Sequence, residues 1–261
     1  MSRSELVVLL DESYPQQLQS LAQQLQLPLV NPDQLADSHA EYGLGFFQQA
    51  LGVKELASKA GPVSVDFTSG TAAHRRNMGG GELIVKAMGG SKQNRPSVLD
   101  ITAGLGRDSF VLASWGFTVQ MLERSPIVAS LLADGLRRAQ HCEDFDVQDI
   151  AGRMQLWQGE AQDYLVALSD EQLPDIIYMD PMFPPSKKSA LVKKDMRVFH
   201  AIVGKEQDGS ELLATARAKA RHRVVVKRPK KSTYLADQQP SFSLAGKAVR
   251  FDIYSLRAFV K

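Results

Sequence analysis

Cysteine is nearly absent from this chain: Cys142 is the single one in 261 residues. A lone cysteine excludes a disulfide within the chain, and it also excludes a metal centre built from several thiolates. The chain has five histidines, and no two of them have the spacing of metal ligands. We therefore expect no metal site.

Long hydrophobic runs are also missing. No apolar stretch approaches the roughly 18 residues that a membrane-spanning helix needs. The apolar run from Leu6 to Leu10 stops at Asp11 and Glu12 and has no small-residue cleavage site after it, unlike a signal peptide. We therefore expect a cytoplasmic protein without a membrane partner.

Excess charge of one sign is small, at +2 for the whole chain, but it is unevenly distributed. Residues 1–60 carry three basic and seven acidic side chains, whereas residues 187–231 carry fourteen basic and four acidic ones. A local excess of this size favours a polyanionic partner such as a nucleic acid. The alternative is a solvated helix face balanced by acids elsewhere in the fold.

Composition is that of a globular protein, with 44% hydrophobic and 23% charged residues. The length allows one large α/β core and a smaller appendage of roughly 60 to 90 residues. We expect a small N-terminal α+β subdomain in residues 1–80, whose strands could pair as an antiparallel sheet. In residues 81–261, strands alternate with helices, which predicts a doubly wound, mostly parallel sheet closed by a β-hairpin.

A glycine-rich turn follows the first strand of the larger domain. The apolar run Val98-Leu99 ends at Asp100, passes Gly104 and Gly106, and enters an amphipathic helix. A second strand, residues 117–122, follows and again ends in an acid, Glu123. Strand, glycine turn, helix, strand and acid together are typical of a nucleotide-binding βαβ unit.

The residues around this turn narrow the choice of ligand. A dinucleotide site would have a third glycine where this chain has Ser109, and the acid Asp100 would repel a pyrophosphate. An acid there suits a ligand with positive charge and hydroxyl groups. S-adenosylmethionine has both, in its ammonium, its sulfonium and its ribose. A structural turn without a ligand is the alternative.

A second motif follows the apolar strand at residues 175–179 and runs Asp180-Pro181-Met182-Phe183-Pro184-Pro185. This strand is expected beside the first one, so that both motifs lie at the carboxyl edge of the sheet. A planar amine could donate one hydrogen to the Asp180 side chain and another to the Pro181 carbonyl. Phe183 could stack on the ring that bears the amine. A stiff turn without function is again the alternative.

Together these motifs resemble class I S-adenosylmethionine-dependent methyltransferases that modify exocyclic amino groups. More narrowly, the chain is similar to the ribosomal RNA small subunit methyltransferase J family, the bacterial guanine-N2 enzymes. The similarity covers residues 62–256 and is carried by Asp-x-Thr-Ala-Gly-Leu-Gly-Arg-Asp (100–108), Met-Leu-Glu-Arg (121–124), Asp-Pro-Met-Phe-Pro (180–184), Arg-Val-Val-Val-Lys-Arg-Pro (223–229) and Arg-Phe-Asp-Ile-Tyr (250–254). It implies a seven-stranded sheet and methylation of a guanosine N2 in 16S ribosomal RNA, free or in the small subunit.

The resemblance also implies a role for each site residue. Asp100 and Gly104 would bind the cofactor, and Arg107 and Asp108 would contact its methionine end. Glu123 would bind the ribose hydroxyls, and Arg124, Glu160 and Ala161 would surround the adenine. The catalytic residues would be Asp180, Pro181 and Phe183, with Asp180 also near the cofactor. The residues expected to contact RNA are His74, Arg75, Arg76, Lys187 and Lys188.

Two other functions stay open on the residues alone. The same chemistry could act on another amine, such as adenine N6 in a nucleic acid or an amine of DNA or protein. A nucleotide-binding Rossmann protein without transferase activity, either an RNA-binding module or a nicotinamide oxidoreductase, is the other alternative.

Overall fold

A computed structural model of the chain describes residues 5–68, 82–89, 95–181, 202 and 209–259. They form two compact units. The first contains residues 5–65, 125–135 and 202, and the second contains the other described residues. The boundary expected between residues 80 and 81 lies outside the described residues.

The order of helices and strands follows the chain. The described helices are α1 (Pro15–Leu25), α2 (Glu82–Met88), α3 (Arg107–Ser114), α4 (Pro126–Gln140), α5 (Phe145–Gly152), α6 (Ala161–Ala167) and α7 (Gly209–Lys219). The described strands are β1 (Leu6–Leu9), β2 (Leu29–Val30), β3 (Tyr42–Phe47), β4 (Ala50–Glu55), β5 (Val63–Ser64), β6 (Val98–Asp100), β7 (Val119–Glu123), β8 (Met154–Gln158), β9 (Ile176–Met179), β10 (Arg223–Pro229), β11 (Phe242–Ala245) and β12 (Val249–Ser255). Short 3₁₀ turns occur at Pro32–Ser38, Asp170–Gln172 and Leu235–Asp237. None of the helices in the described part of the chain combines the length and the apolar character of a membrane-spanning helix.

The first unit contains a five-stranded sheet in the order β2-β1-β3-β4-β5. Strand β1 is parallel to both β2 and β3, while β3, β4 and β5 are antiparallel. The sheet is therefore mixed, and an all-antiparallel pairing was wrong for it. The cause is α1, which connects β1 to β2 as a crossover helix and so makes that pair parallel.

Strand β4 was missed by the sequence analysis because its hairpin turn has no glycine. Gln48 and Gln49 both have positive φ, at 50° and 67°, which is the backbone conformation of a tight hairpin turn. Glycine or asparagine normally marks such a turn. Two glutamines gave no such signal.

The large sheet in the second unit has seven strands in the order β11-β12-β10-β9-β6-β7-β8. The five strands from β10 to β8 are parallel, and β12 and β11 form the antiparallel hairpin at the end. This confirms the predicted seven-stranded, mostly parallel α/β sheet. Within this sheet the chain begins at β6 and adds β7 and then β8 on one side of it. It then returns to add β9 on the other side of β6. The order therefore reverses between β6 and β9.

Apolar side chains on the central strands hold this sheet against its helices. Leu99, Ile177 and Val224 on neighbouring strands are at most 2% exposed, and they share a core cluster with Leu165 of α6 and Leu213 of α7. Strands buried on both faces have continuous apolar runs, which is why β9 and β10 were recognisable in the sequence. The core fixes the strand ends on which the candidate site lies.

Helix α4 offers a stability test within the first unit at Gly135. A Cβ atom on Gly135 would lie 2.4 Å from Cγ1 and 2.6 Å from Cβ of Val65. Gly135→Ala should lower the free energy of unfolding by about 1–2 kcal/mol, because overpacking outweighs the helix propensity of alanine. Chemical denaturation measures this change.

Gly152, at the end of α5, is the matched control. A Cβ atom there has no neighbour within 4 Å. Gly152→Ala should leave stability unchanged or raise it by up to about 1 kcal/mol. Equal effects of the two substitutions would contradict the packing described for Gly135.

Candidate active site at the carboxyl edge of the large sheet

Acidic residues follow the central strands of the large sheet at its carboxyl edge. Asp100 ends β6, Glu123 ends β7, and Asp180 comes directly after β9. Glu160 follows β8 and precedes α6. Because β6 and β9 are the pair between which the strand order reverses, their ends form the crevice where open α/β sheets bind ligands.

Asp100 is the most deeply buried of these acids, at 2% exposure. Its Oδ2 accepts a hydrogen bond from the Ser109 hydroxyl at 2.5 Å, and its Oδ1 accepts one from the Thr102 N–H at 3.1 Å. Burial raises the pKa of Asp100 from 3.8 to about 7, although both hydrogen bonds oppose the rise. Ser109 stands where a dinucleotide-binding loop has glycine, and its contact with Asp100 accounts for that departure.

The glycine turn after β6 bonds to the end of β7. Gly104 and Gly106 have φ of 55° and 70°, a left-handed conformation that glycine adopts at little cost. The Gly104 N–H donates to Oε2 of Glu123 at 2.9 Å, and the Ala103 N–H donates to the Leu122 carbonyl at 3.0 Å. Glu123 is 6% exposed, so its carboxylate is held in place before any ligand arrives.

The two sequence motifs meet directly in the structure. The backbone N–H of Asp180 donates to the Thr102 hydroxyl at 2.6 Å, and the Ile101 N–H donates to the Tyr178 carbonyl at 3.0 Å. Methyltransferase loops usually have glycine at the position of Thr102. A hydroxyl there gives the turn after β6 a direct bond to the second motif.

Lys227 on β10 joins the same two motifs through their side chains. Its Nζ donates to Oδ2 of Asp108 at 2.6 Å and to Oδ2 of Asp180 at 2.7 Å. The Tyr178 hydroxyl donates to the same oxygen of Asp108 at 2.7 Å. One ammonium group therefore links the first turn of α3, the end of β9 and β10.

Burial and the two carboxylates act in opposite directions on these groups. Burial by itself would lower the pKa of Lys227, but Asp108 and Asp180 outweigh it and raise that pKa. Burial raises the pKa of Asp180 above its ordinary value, while Lys227 pulls it down and the negative charge of Asp108 pushes it up. Burial also raises the pKa of Tyr178, so its hydroxyl stays a neutral donor. Lys227 is thus a firmly charged ammonium between two acids.

The other predicted site residues differ in where they lie. Arg107 is exposed as the first residue of α3, Arg124 is half-buried after β7, and Glu160 is exposed. Ala161 and Pro181 are buried. The predicted residues outside the described part of the chain are His74, Arg75, Arg76, Phe183, Lys187 and Lys188.

Lys227 and Tyr178 were missed as site residues by the sequence analysis. The signal for Lys227 is a charged residue inside the otherwise apolar run Arg223-Val224-Val225-Val226-Lys227. Such a residue on a central strand needs a buried partner of opposite charge.

The described residues contain no group of three or more His, Cys, Asp or Glu side chains that could hold a metal ion.

Comparison with known proteins decides the family. Residues 20–256 match a family model described as "Putative SAM-dependent methyltransferase". The chain belongs to this family of S-adenosylmethionine-dependent methyltransferases. A solved methyltransferase of this kind from Neisseria gonorrhoeae is 41% identical, with a TM-score of 0.73, and the match covers 96% of this chain and 95% of that one.

Relatives with a narrower name match at still higher identity. The ribosomal RNA small subunit methyltransferase J of Pseudomonas aeruginosa is 49% identical over 92% of this chain and 90% of its own length. The enzyme of that name from Cellvibrio japonicus is 46% identical over 91% of this chain and 92% of its own length. The chain therefore also belongs to the methyltransferase J family, as its motifs indicated.

The carboxyl edge has the chemistry that a methyltransferase needs for S-adenosylmethionine. Asp108 and Glu123 supply carboxylates, which suit the positive charges and the ribose hydroxyls of that molecule, while Asp100 holds the turn through Thr102 and Ser109. The left-handed glycines at 104 and 106 carry no side chain that would keep a ligand away from the turn. The residues present fit the cofactor of the family.

The raised pKa of Asp100 gives a pH-dependent prediction. The native protein keeps on Asp100 a proton that the unfolded chain releases between pH 3.8 and about 7. Its contribution to the free energy of unfolding therefore falls as the pH rises through that range and is constant above it. Asp100→Asn should remove this step, so the variant gains stability relative to the unmodified protein from about pH 4 to about pH 7.

Urea denaturation at a series of pH values measures this difference. A stability difference between Asp100→Asn and the unmodified protein that does not change with pH would contradict the raised pKa of Asp100.

Proposed function

We propose that this protein transfers a methyl group from S-adenosylmethionine to the exocyclic N2 of a guanosine in 16S ribosomal RNA. One observation carries the proposal: Asp180, next to the expected acceptor, is bonded to the turn expected to hold the donor, through Thr102 and through Lys227 to Asp108. The names of the methyltransferase J relatives supply the substrate class.

We propose that the donor lies over the glycine turn at the switch point of the sheet. Asp100, Gly104, Arg107 and Asp108 would border its methionine end, and Glu123 would accept hydrogen bonds from both ribose hydroxyls. Arg124, Glu160 and Ala161 would surround its adenine. When bound, S-adenosylmethionine supplies a methyl group on a sulfonium, so the carbon is already activated for displacement.

The task left to the protein is to position the amine and to remove its proton. The N2 lone pair of guanine is delocalised into the ring, which makes it a poor nucleophile. Lys227 holds Oδ2 of Asp180, so the other oxygen, Oδ1, would accept one hydrogen of the amine, and the Pro181 carbonyl would accept the second. These bonds favour a more pyramidal nitrogen, aimed within attack distance of the methyl carbon.

The proton leaves the nitrogen once the new carbon–nitrogen bond has formed. Asp180 is suited to receive it, because burial raises the pKa of this carboxyl above the ordinary value for aspartate. A strong base is unnecessary, since the methylated nitrogen is itself a strong acid at that point. The adjacent Lys227 acts in the opposite direction to burial and favours the ionised carboxylate, the form that can accept the proton.

The target base must also leave the RNA helix, and the protein must hold both the base and the RNA. A guanine in a paired helix would have to leave its stack to reach Asp180. Phe183 would stack on it, while His74, Arg75, Arg76, Lys187 and Lys188 would contact the RNA. We propose that the N-terminal residues 1–80 help to position this RNA, free or in the small subunit, in the cytoplasm.

Asp180→Asn tests the proposal because asparagine keeps the shape of the side chain and removes its charge. The variant should lose about 10²-fold or more of the rate of methyl transfer to 16S ribosomal RNA. Its affinity for S-adenosylhomocysteine should fall only modestly, since Glu123 and the glycine turn are intact. Radiolabel transfer measures the rate, and calorimetry measures the affinity.

Asp170→Asn removes the same charge at the opposite edge of the sheet, where Arg221 contacts the Asp170 carbonyl, and should keep full activity. Mass analysis of the RNA digest identifies the product base. Retained activity in Asp180→Asn would reject the catalytic role of Asp180. If the methyl groups are found on adenine N6, the acceptor is adenine N6 and not guanine N2.

A further inference from the structure

Three exposed lysines lie at the same edge of the large sheet as the candidate site, without a role in it. Lys230 and Lys231 follow β10, and Lys247 is in the turn between β11 and β12. Residues 227–234 and 245–248 contain no acidic residue. We call residues 229–234 with residues 245–248 the lysine edge.

Strand pairing brings the two parts of the lysine edge together. Pro229 at the end of β10 pairs with Val249 at the start of β12, and the Lys230 N–H donates to the Ala248 carbonyl at 3.0 Å. Because β10 is parallel to β9, its end lies at the same edge of the sheet as Asp180. Lys230 is three residues beyond Lys227, or about 10 Å along an extended strand.

Arg250 holds the first part of the lysine edge in one conformation. Its Nη1 donates to the carbonyls of Lys230 at 3.0 Å and Ser232 at 2.8 Å, and its Nη2 donates to that of Thr233 at 3.3 Å. Arg228 adds a bond to the Thr233 carbonyl at 2.8 Å. Three carbonyls of one short surface loop are thus fixed by buried guanidinium groups.

Burial of the two arginines that hold this loop costs free energy. Arg228 and Arg250 are buried beside each other, and burial together with the charge of Arg250 lowers the pKa of Arg228. Asp252, fully buried, compensates through bonds from Arg250 Nε and Nη2 at 2.8 and 3.1 Å. Buried ion pairs of this kind add little net stability, but they fix geometry. The loop is therefore preorganised.

Tyr234 ends the loop and presents an aromatic surface there. The guanidinium carbon of Arg250 lies 4.9 Å from its ring centroid, and the residue is 39% exposed. The ring is thus held from the protein side. Basic side chains next to an exposed aromatic ring are typical of surfaces that bind single-stranded nucleic acid.

We propose that the lysine edge binds backbone phosphates of the RNA strand that carries the target guanosine, an inference that rests on the proposed function. Lysine acts as a flexible point charge, so these contacts position the strand and do not read its sequence. The preorganised loop sets the register of the strand relative to Asp180. Tyr234 stacks on a base next to the target.

The double variant Lys230→Gln/Lys231→Gln tests this surface. RNA binding should weaken severalfold on any RNA sequence, and the slope of log K against log salt should become shallower by about 1.4, from about 0.7 per phosphate contact on a single strand. Adding Lys247→Gln should remove about 0.7 more. The KM for RNA should rise while kcat and the affinity for S-adenosylhomocysteine stay unchanged.

Arg221→Gln/Arg257→Gln is the matched control. It removes two exposed charges at the opposite edge, where the Arg257 N–H bonds to the His222 carbonyl just before β10. The inference is overturned if both double variants bind naked 16S ribosomal RNA with the same affinity and salt slope. It is also overturned if the lysine variant fails only on assembled subunits, because the contact is then with a ribosomal protein.

Failure of the proposed function gives a different result. The unmodified protein would then leave no methyl group on guanine N2 of the RNA, whereas failure of the lysine-edge inference leaves that product in place and gives equal binding of both double variants.

Discussion

One ammonium group shared by two carboxylates holds the candidate site together. Lys227 lies 2.6 Å from Asp108 and 2.7 Å from Asp180, and these three residues come from α3, the end of β9 and β10. Without the lysine, two partly buried carboxylates would face each other and one would have to take up a proton. With it, the first turn of α3 and the Asp180 side chain have a fixed relation, as in-line transfer between two ligands requires.

Hydrogen bonds of the backbone also join the strand ends that carry these residues. Thr102 accepts the Asp180 N–H, Gly104 donates to Glu123, and the ends of the three central strands are thereby joined. Two residues depart from common glycine-rich patterns, Thr102 and Ser109, and the hydroxyl of each makes one of the hydrogen bonds around this turn. Thr102 in place of glycine thus connects the glycine turn to the second motif, and Ser109 in place of glycine holds Asp100.

Much of the large sheet could be predicted from the sequence because parallel strands buried on both faces have continuous apolar runs. Other elements gave weaker signals. The hairpin before β4 turns at Gln48 and Gln49 without a glycine. Helix α5 begins with Phe145, an apolar residue that is 81% exposed, so its amphipathic pattern is poor.

The candidate site divides in the same way. Asp100, Glu123 and Asp180 could be found from the sequence, because an acid directly after an apolar strand is a local signal. The role of Lys227 could not, since it depends on which strands become neighbours and on the first turn of a helix over 100 residues earlier in the chain. The anchor of Arg250 on residues 230–233 depends on tertiary pairing in the same way.

The most direct test of the central claim is a crystal structure with S-adenosylhomocysteine and a guanosine-containing RNA fragment. We expect the ribose hydroxyls to contact Glu123 and the guanine N2 to lie within hydrogen-bond distance of Asp180. The N2 atom should lie on the open side of the sulfur, with room for a methyl group at about 3–3.5 Å from the nitrogen. A cofactor bound away from residues 100–108, or a guanine held without contact to Asp180, would contradict it.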